Sequence, residues 1–369
     1  MTIAFTIVTR NYLFQARTLM QSVASNWPDA KRCVILIDSP ENYFLPEQEG
    51  YEIILSDSLN VPGFRHLAFS LDGISLCCLL KSAAALYLFQ KYPAEVVVYL
   101  DGDTLLYRRP NELIEATKST SVVFTPHVLA PIPLDSTRAD FDLMRSGIFN
   151  AGLFAIRRDS ASKQFLEWWY SNLLQSGSMR AEWSYDQAWL ALAPTYFKQF
   201  GVLRNPGYNV AYWNLHERPL QGNLQDGITV ATYYPLSLFH FSFFNPAAPE
   251  TLANRGFIRV QATSEPLKSL ALAYAGKLKG NGYEECKTWG YQYDHFTDGS
   301  EITDQHRAYY TIRVASERDS DADPFDPSFK TRSYRGWKSL YNVNHPVPRT
   351  LRRLRRTLNT LVGAIPLEF

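Results

Sequence analysis

The stretch at residues 95–107 constrains the fold of this chain more than any other part of the sequence. It reads EVVVYLDGDTLLY, so a short apolar run leads directly into two aspartates separated by one glycine. A continuous apolar run bounded by turn residues is typical of a strand buried in a parallel sheet. Asp101 and Asp103 follow that strand at its carboxyl end, which is where open α/β sheets bind their ligands.

The aspartate pair predicts a site for a divalent cation. Asp101 and Asp103 can present oxygens to one ion, while Gly102 lets the backbone turn between them. Oxygen ligands suit Mn²⁺ or Mg²⁺, and such an ion favours a phosphate-bearing substrate. The alternative is a surface turn, because Asp-Gly is a common turn dipeptide. The strand in front of the pair favours the metal site.

Strands and helices alternate before this stretch. Apolar runs at 3–8, 33–38 and 51–55 predict strands, and residues 13–24 and 71–91 predict helices. This order predicts βαβ units and a parallel sheet. The first strand is followed by neither a G-x-G-x-x-G motif nor a G-x-x-x-x-G-K-[ST] loop, which argues against a dinucleotide site or a phosphate loop of those types.

A second group of candidate residues lies on a later predicted strand, residues 147–156. The strand is interrupted by Asn150, Ala151 and Gly152. Small residues there allow a ligand to approach the backbone closely, and a β-bulge is the alternative. A proline-containing loop before it, after the strand predicted at 121–125, is long enough to act as a lid.

Three further candidates follow. Asp186 and Gln187 begin a predicted helix, in which Asp186 is either a site residue or a helix cap. His240 lies in a predicted strand at 238–242, and a lone histidine on an apolar strand is more often a core residue than a ligand. Residues 209–218 are rich in hydrogen-bonding and aromatic types.

The composition excludes several classes of protein. The formal net charge of +1 argues against a general nucleic-acid binder. The four cysteines form no C-x-x-C pair, so neither zinc nor a disulfide framework is indicated. We see neither a signal peptide nor a membrane-spanning run, and we therefore expect a cytoplasmic protein.

Taken together, the ordered motifs resemble the nucleotide-sugar glycosyltransferases of the GT-A fold, in particular bacterial relatives of the glycogenin/galactosyltransferase (GT8-like) family. The matching residues are Thr9-Arg10-Asn11-Tyr12, Leu80-Lys81, Tyr99-Leu100-Asp101-Gly102-Asp103, Phe149-Asn150-Ala151-Gly152, Asp186-Gln187 and His240. The resemblance covers residues 1–250. It implies an α/β, Rossmann-like GT-A domain there and a small C-terminal accessory segment at 251–318. The sequence pattern beyond that segment predicts a linker with a terminal helix at 319–369.

The resemblance also implies a site. Asp101, Asp103 and His240 would hold Mn²⁺ or Mg²⁺ against the diphosphate of the donor. The segment after His240 lacks the glycine and lysine of the family pattern, so a basic phosphate contact must come from elsewhere; Lys81 and Arg65 are candidates, or are solvated surface charges. The remaining donor-binding candidates are Thr9, Arg10, Asn11 and Tyr12 for the base and ribose, with Gly102, Ala151 and Gly152 lining the site.

The catalytic candidates implied by the resemblance are Asp186, Gln187 and Asn150. An inverting enzyme needs a carboxylate to accept the proton of the acceptor hydroxyl, and Asp186 is the candidate. A retaining enzyme needs a donor positioned by polar side chains, which Asn150 and Gln187 can provide. The related family is retaining, and the sequence leaves the stereochemistry open.

The predicted activity is transfer of a sugar from a nucleotide-sugar, with a UDP-sugar favoured, to a glycan or lipid-linked acceptor in bacterial surface polysaccharide or glycoconjugate synthesis. The alternatives are a nucleotidyltransferase of related fold and a non-catalytic protein that binds glycans or nucleotides. A nucleotidyltransferase would carry a glycine-rich basic loop after the first strand, which residues 9–12 lack. Intact Asp101 and Asp103 argue against the non-catalytic protein.

The C-terminal residues 351–362 form a predicted basic amphipathic helix. Its leucines fall on one face, opposite a cluster of arginines. Such a helix either lies on anionic lipid or packs on its own domain. The first alternative predicts peripheral contact with the inner face of the plasma membrane through residues 350–369.

Overall fold

The computed structural model describes residues 1–133, 140–179, 186–256, 258–316 and 323–330. The strands, numbered in chain order, are β1 (Thr2–Val8), β2 (Lys31–Leu36), β3 (Glu52–Leu55), β4 (Val96–Leu100), β5 (Thr104–Leu106), β6 (Val122–Pro126), β7 (Phe149–Arg157), β8 (Phe200–Val202), β9 (Val210–Ala211), β10 (Leu220–Asn223), β11 (Gly227–Val230), β12 (Tyr234–Pro235), β13 (Leu238–His240), β14 (Thr251–Arg255) and β15 (Ile258–Gln261). The α-helices are α1 (Leu13–Asn26), α2 (Phe64–Ser70), α3 (Gly73–Lys91), α4 (Asn111–Ala116), α5 (Asp140–Ser146), α6 (Ser160–Met179), α7 (Asp186–Trp189), α8 (Ala193–Tyr196), α9 (Glu265–Gly280), α10 (Tyr283–Cys286) and α11 (Asp304–Ser316).

The main sheet of the described residues has seven strands in the order β3-β2-β1-β4-β7-β6-β8. The predicted α/β class is confirmed, with a central sheet rich in parallel pairs. The predicted parallel sheet is wrong at β7, which is antiparallel to both β4 and β6. In its described part, the connection from β6 to β7 carries the seven-residue helix α5, which packs on α7.

Strand β4 is buried over its whole length, as its apolar sequence predicts. Val97 and Tyr99 face the hydrophobic cluster under α3 and α6, while Val98 and Leu100 face the cluster under α1. Full burial of each such side chain contributes roughly 1.5–3 kcal/mol. The two layers hold the end of β4, and with it the first aspartate, in a fixed position.

Helix α3 begins at a capped terminus, since the Asp72 carboxylate accepts a hydrogen bond from Ser75 N at 2.7 Å. By length and composition alone it could cross a membrane, with 19 residues and a mean hydropathy of 1.4. Half of this apolar stretch is buried inside the protein, and α3 packs against β1, β4 and α6. The core helix of a globular protein passes the same test, so this feature is weak support for a membrane span.

A smaller sheet of the order β5-β13-β9 lies next to the end of β4. Strand β5 begins directly after the second aspartate, and β13 pairs antiparallel with it so that His240 lies opposite Thr104. This pairing is the reason why His240, distant in sequence, lies beside Asp103.

The C-terminal segment packs on the rest of the chain. Leu270 and Tyr274 of α9 share a hydrophobic cluster with α1, and Tyr310 of α11 shares the other cluster with Phe69 of α2. The division at residue 250 stays a prediction. The predicted terminal helix at 351–362 and the membrane contact at 350–369 lie outside the described residues, as does most of the predicted linker.

Candidate functional site

Asp101, Asp103 and His240 form a cluster at the carboxyl end of β4. Their potential ligand atoms all lie within 4.8 Å of one another. His240 Nε2 is 3.0 Å from Asp103 Oδ1 and 3.9 Å from Asp101 Oδ2. Two carboxylates and one imidazole form a ligand set that suits a first-row divalent ion such as Mn²⁺. The sequence-predicted metal residues are thus brought together.

The segment that carries the two aspartates also forms a hydrogen-bonded turn, as the alternative interpretation predicted. Thr104 donates to the Asp101 carbonyl from both its backbone N (3.0 Å) and its hydroxyl (2.7 Å). Gly102 is buried against β1, and a Cβ there would lie 3.0 Å from Val8 Cγ1. The turn and the cation site are therefore compatible interpretations of the same residues.

Gly152 forms the floor of the cluster. A Cβ at this position would lie 2.5 Å from Asp101 Oδ2, 2.7 Å from Asn150 Oδ1 and 2.7 Å from His240 Cε1. Asp101 N donates to the Gly152 carbonyl at 2.8 Å, which ties β7 to the end of β4. The pairing of β7 with β6 shifts register between Phe124 and Thr125, so the strand is irregular next to the site, as the β-bulge alternative anticipated. The space that a side chain would fill is left open between ligand atoms, and the donor set therefore fits a bound cation.

The Asp101 carboxylate is held from behind by two side chains. Tyr99, two residues earlier and on the same face of β4, donates its hydroxyl to Asp101 Oδ1 at 2.6 Å. Lys81 Nζ on α3 lies 3.2 Å from the same oxygen. These contacts leave Oδ2 directed towards His240 and Gly152.

Lys81 is buried and contacts three acceptors. Besides Asp101, its ammonium lies 2.7 Å from Asp186 Oδ2 and donates to the Ala151 carbonyl at 3.1 Å. An ammonium has three N–H groups, and a phosphate would have to compete for them with these three protein acceptors. The alternative of a solvated surface charge is wrong, and the predicted phosphate contact does not fit this geometry. A charged residue in the middle of the apolar run 71–91 was the sequence signal for a buried ion pair.

Asp186 lies at the first residue of α7 and is buried with its partner Lys81. Its Oδ1 accepts a hydrogen bond from Gln187 N at 2.9 Å. The Gln187 amide oxygen reaches Ala151 N at 3.4 Å. The predicted catalytic pair is therefore adjacent to the strand that carries Ala151, although Asp186 is engaged in an ion pair rather than free.

Asn150 is the next residue of this wall. Its Oδ1 accepts from Gly152 N at 2.8 Å, and its Nδ2 donates to His127 Nε2 at 3.1 Å. His127 follows β6 and is buried. His127 was not predicted from the sequence, because this histidine precedes a proline-containing loop and shows no pattern of its own.

The charges of the cluster shift its protonation equilibria. Burial acts to lower the pKa of His240, but the nearby carboxylate of Asp103 outweighs it, so that this pKa is raised. Burial acts to raise the pKa of Asp103, and His240 lowers it overall. For Lys81 burial again opposes the charge, and the carboxylates of Asp101 and Asp186 outweigh it and raise the pKa.

The loop after β1 carries the predicted base and ribose contacts. Thr9 donates its hydroxyl to Asn11 Oδ1 at 2.6 Å, and Tyr12 lies under the ammonium of Lys287, 3.6 Å from its ring centroid. Arg10 is buried; its backbone N donates to Asp38 Oδ1 at 2.6 Å. The role of these residues stays a prediction.

Arg65 lies on α2 and is half-exposed. Its guanidinium makes two hydrogen bonds to Asp323, at 2.6 and 2.7 Å, and lies over the ring of Phe325. In the described residues the partners seen for Arg65 belong to the C-terminal segment rather than to the metal-ligand cluster. The phosphate contact predicted for it stays a prediction.

No protein-family model matches the sequence. The chain is 21% identical over 282 residues to the uncharacterized protein YfnD of Bacillus subtilis (strain 168), which covers 74% of this chain and 88% of that protein. The structure of the present chain is similar to that of the galactosyltransferase LgtC in complex with donor and acceptor sugar analogs (TM-score 0.47, 16% identity, covering 76% of this chain and 96% of LgtC). It is also similar to the glycosyltransferase GlyE of Streptococcus pneumoniae TIGR4 (TM-score 0.43, 14% identity, covering 80% of this chain and 67% of GlyE). A third similar structure is mouse xyloside xylosyltransferase 1 (TM-score 0.40, 12% identity, covering 65% of this chain and 97% of that enzyme). All three TM-scores are below 0.5, and each of these solved structures is a glycosyltransferase.

Proposed function

We propose that this chain is a metal-dependent glycosyltransferase that moves a sugar from a nucleotide-sugar donor to a glycan or glycolipid acceptor. The observation that carries the proposal is the cluster of Asp101, Asp103 and His240 around the open space above Gly152. The cluster lies at the carboxyl end of β4, in the position where open α/β sheets bind ligands.

In this proposal Asp101, Asp103 and His240 hold Mn²⁺ or Mg²⁺. A divalent ion bound there would stabilise the negative charge that develops on a departing nucleoside diphosphate. The chain's own contribution is to fix the ligands before the donor binds. Tyr99 and Lys81 restrain the Asp101 carboxylate, so little reorganisation is needed when charge develops.

Asn150 and Gln187 line the wall next to the cluster and are the proposed contacts to the donor sugar. Both are held in place through neighbouring backbone groups, since Asn150 binds Gly152 N and Gln187 reaches Ala151 N. Side chains fixed in this way can orient a sugar without paying much conformational entropy on binding.

The ion pair between Asp186 and Lys81 supports a retaining rather than an inverting reaction. An inverting enzyme needs a carboxylate that can take the proton of the acceptor hydroxyl. Asp186 is buried, and its Oδ2 lies 2.7 Å from Lys81 Nζ, so protonating it would disrupt this pair. We therefore assign Asp186 the task of positioning Lys81 and the start of α7.

The donor base, the acceptor and the cellular site belong to the same proposal. We favour a UDP-sugar bound by the loop after β1, and an acceptor that is a glycan or a lipid-linked glycan of bacterial surface polysaccharide synthesis. We propose a cytoplasmic location with peripheral contact at the inner membrane face through residues 350–369. Co-sedimentation with anionic vesicles before and after deletion of these residues tests the last point, because unchanged partitioning would count against it.

The activity is tested by screening hydrolysis of UDP-, GDP- and dTDP-sugars with Mn²⁺ and with Mg²⁺. We expect turnover of one donor class by the full chain and at least an about hundredfold loss of that activity in Asp103→Ala. Mutating residues that merely hydrogen-bond to metal ligands already lowers metal affinity or activity about 10–100-fold. Asp57→Ala, at an exposed aspartate, is the matched control and should match the unmodified chain.

Three outcomes would contradict the proposal. Calorimetric binding of nucleoside diphosphates with Mn²⁺ but without turnover of any donor would indicate the non-catalytic alternative. Release of pyrophosphate from a nucleoside triphosphate and a sugar phosphate would indicate a nucleotidyltransferase. Neither binding nor turnover in any combination would reject the site itself.

A further inference from the structure

We propose that Asn209 is a positioning residue that fixes the imidazole of His240 with Nε2 facing Asp101 and Asp103. This inference rests on the proposed function, because it concerns the ion that these three residues would hold. It also gives a role to the polar segment 209–218.

The first support is the hydrogen bonding of the Asn209 amide. Its side chain is fully buried, with Oδ1 3.1 Å from His240 Nδ1 and Nδ2 donating to Thr125 Oγ1 at 3.0 Å. An amide oxygen can only accept, so in this arrangement the proton is on Nδ1 of the imidazole. When a cation displaces the proton that Nε2 shares with Asp103, the lone pair of Nε2 faces that cation, as in metal sites where the other ring nitrogen is bound by the protein.

The second support is the packing of the histidine ring. Trp213 contacts the imidazole edge to face, with ring centroids 5.1 Å apart and an interplanar angle of 79°. His240 itself is only 4% exposed. The ring is therefore confined by Trp213 on one side and by the Asn209 hydrogen bond at Nδ1, so rotation away from the aspartates would break both contacts.

The third support is the backbone that holds Asn209. The residue has φ = 55°, in the left-handed region that Asn adopts more readily than most other residues. Its carbonyl accepts hydrogen bonds from Asn214 Nδ2 at 3.0 Å and from Arg218 at 3.4 Å. Asn214 Nδ2 also donates to the His127 carbonyl. These contacts give structural roles to Asn209, Asn214 and Arg218, three of the polar residues in the segment 209–218.

The test measures binding of Mn²⁺ alone to the full chain, by calorimetry and by the electron paramagnetic resonance of the ion. Asn209→Gly removes the amide without backbone strain at positive φ. We expect the Kd for Mn²⁺ to rise about 10–100-fold, together with loss of the imidazole-nitrogen coupling to Mn²⁺. Asn60→Gly is the matched control, because Asn60 has φ = 50° and is an exposed residue on another loop. It should bind Mn²⁺ as the unmodified chain does.

Two further variants keep the test decisive where Asn209→Gly does not fold. Asn209→Asp restores an acceptor at Nδ1 and tolerates the same φ, so we expect Mn²⁺ binding and the nitrogen coupling to be retained. Thr125→Val frees the amide to turn and should weaken Mn²⁺ binding about fivefold, the equivalent of one hydrogen bond.

The outcomes separate this inference from the proposed function. Absence of Mn²⁺ binding by the unmodified chain would reject the metal site and the role of Asn209 together. Normal Mn²⁺ binding by the unmodified chain and by Asn209→Gly would reject only the positioning role. An equal loss of binding in Asn60→Gly, or in Asn209→Asp, would also reject it, because the effect would then not depend on an acceptor at Nδ1.

Discussion

Replacing Gly152 by alanine places a methyl group in the space between the ligand atoms of the cluster. Its Cβ would lie 2.5 Å from Asp101 Oδ2, whereas ordinary contacts of this kind begin at 3.4 Å. The carboxylate oxygen would therefore have to retreat by about 0.9 Å, and His240 Cε1, at 2.7 Å, by a similar distance. Tyr99 and Lys81 hold the other oxygen of Asp101 and oppose that movement.

The size of the expected loss of Mn²⁺ affinity follows from how little metal–ligand distances can vary. Workable ligand distances vary by only about 0.2 Å, so a displacement several times larger removes at least one ligand. We expect the affinity for Mn²⁺ to fall more than about tenfold. Overpacking of this kind costs roughly 1–3 kcal/mol of unfolding free energy, so the variant should still fold.

The assay is calorimetric titration of the full chain with Mn²⁺, paired with urea unfolding of the same samples. Gly276→Ala in α9 is the control, because a Cβ there meets nothing within 4 Å. This change should leave Mn²⁺ binding intact and should stabilise the chain by up to ~1 kcal/mol. Unchanged Mn²⁺ affinity in Gly152→Ala would refute the assignment of the open space to a cation.

The remaining predictions concern stability and the donor site. Lys81→Met should lower the free energy of unfolding in urea by about 3–5 kcal/mol, because it leaves carboxylates buried without their cation. Adding Asp186→Asn should restore part of that loss, and no loss in the single variant would contradict the buried ion pair. Burial raises the pKa of Asp38 to about 6. The protonated carboxyl therefore contributes fully to the free energy of unfolding below about pH 4, and this contribution is lost as the pH rises through 6. This amounts to about 3 kcal/mol, and Asp38→Asn should flatten that part of the stability–pH profile measured by thermal unfolding, whereas an unchanged slope would argue against it. Arg65→Ala should cost at most ~1 kcal/mol, because its pair with Asp323 is half-exposed, and should leave donor affinity unaltered; a tenfold weaker donor Kd would instead support the predicted phosphate contact.

The local features of this chain could be predicted from the sequence. The apolar run of β4, the turn at Gly102 and the helix α3 were all recognisable, because each depends on residues adjacent along the chain. The D-x-D pair was predicted to lie at a strand end, and the two aspartates lie there.

Contacts between distant segments could not be predicted in the same way. Strand β7 pairs antiparallel with both β4 and β6, and no periodicity in β7 itself encodes this direction. Lys81 and Arg65 had the same interpretation in the sequence, but one is buried between two carboxylates and the other lies half-exposed on Asp323. Burial is a property of the assembled layers, so charge type alone does not determine it.

The amino-acid order therefore determined the α/β class and the residue types available for cation binding, since strand and helix periodicity and turn chemistry act over a few residues. Only the tertiary structure decided which of them meet. His240 reaches Asp103 because β13 pairs with β5, and it is oriented by Asn209 from a third segment. Such a site depends on the packing of several strands at once, and that packing is set by the whole core rather than by any one stretch of sequence.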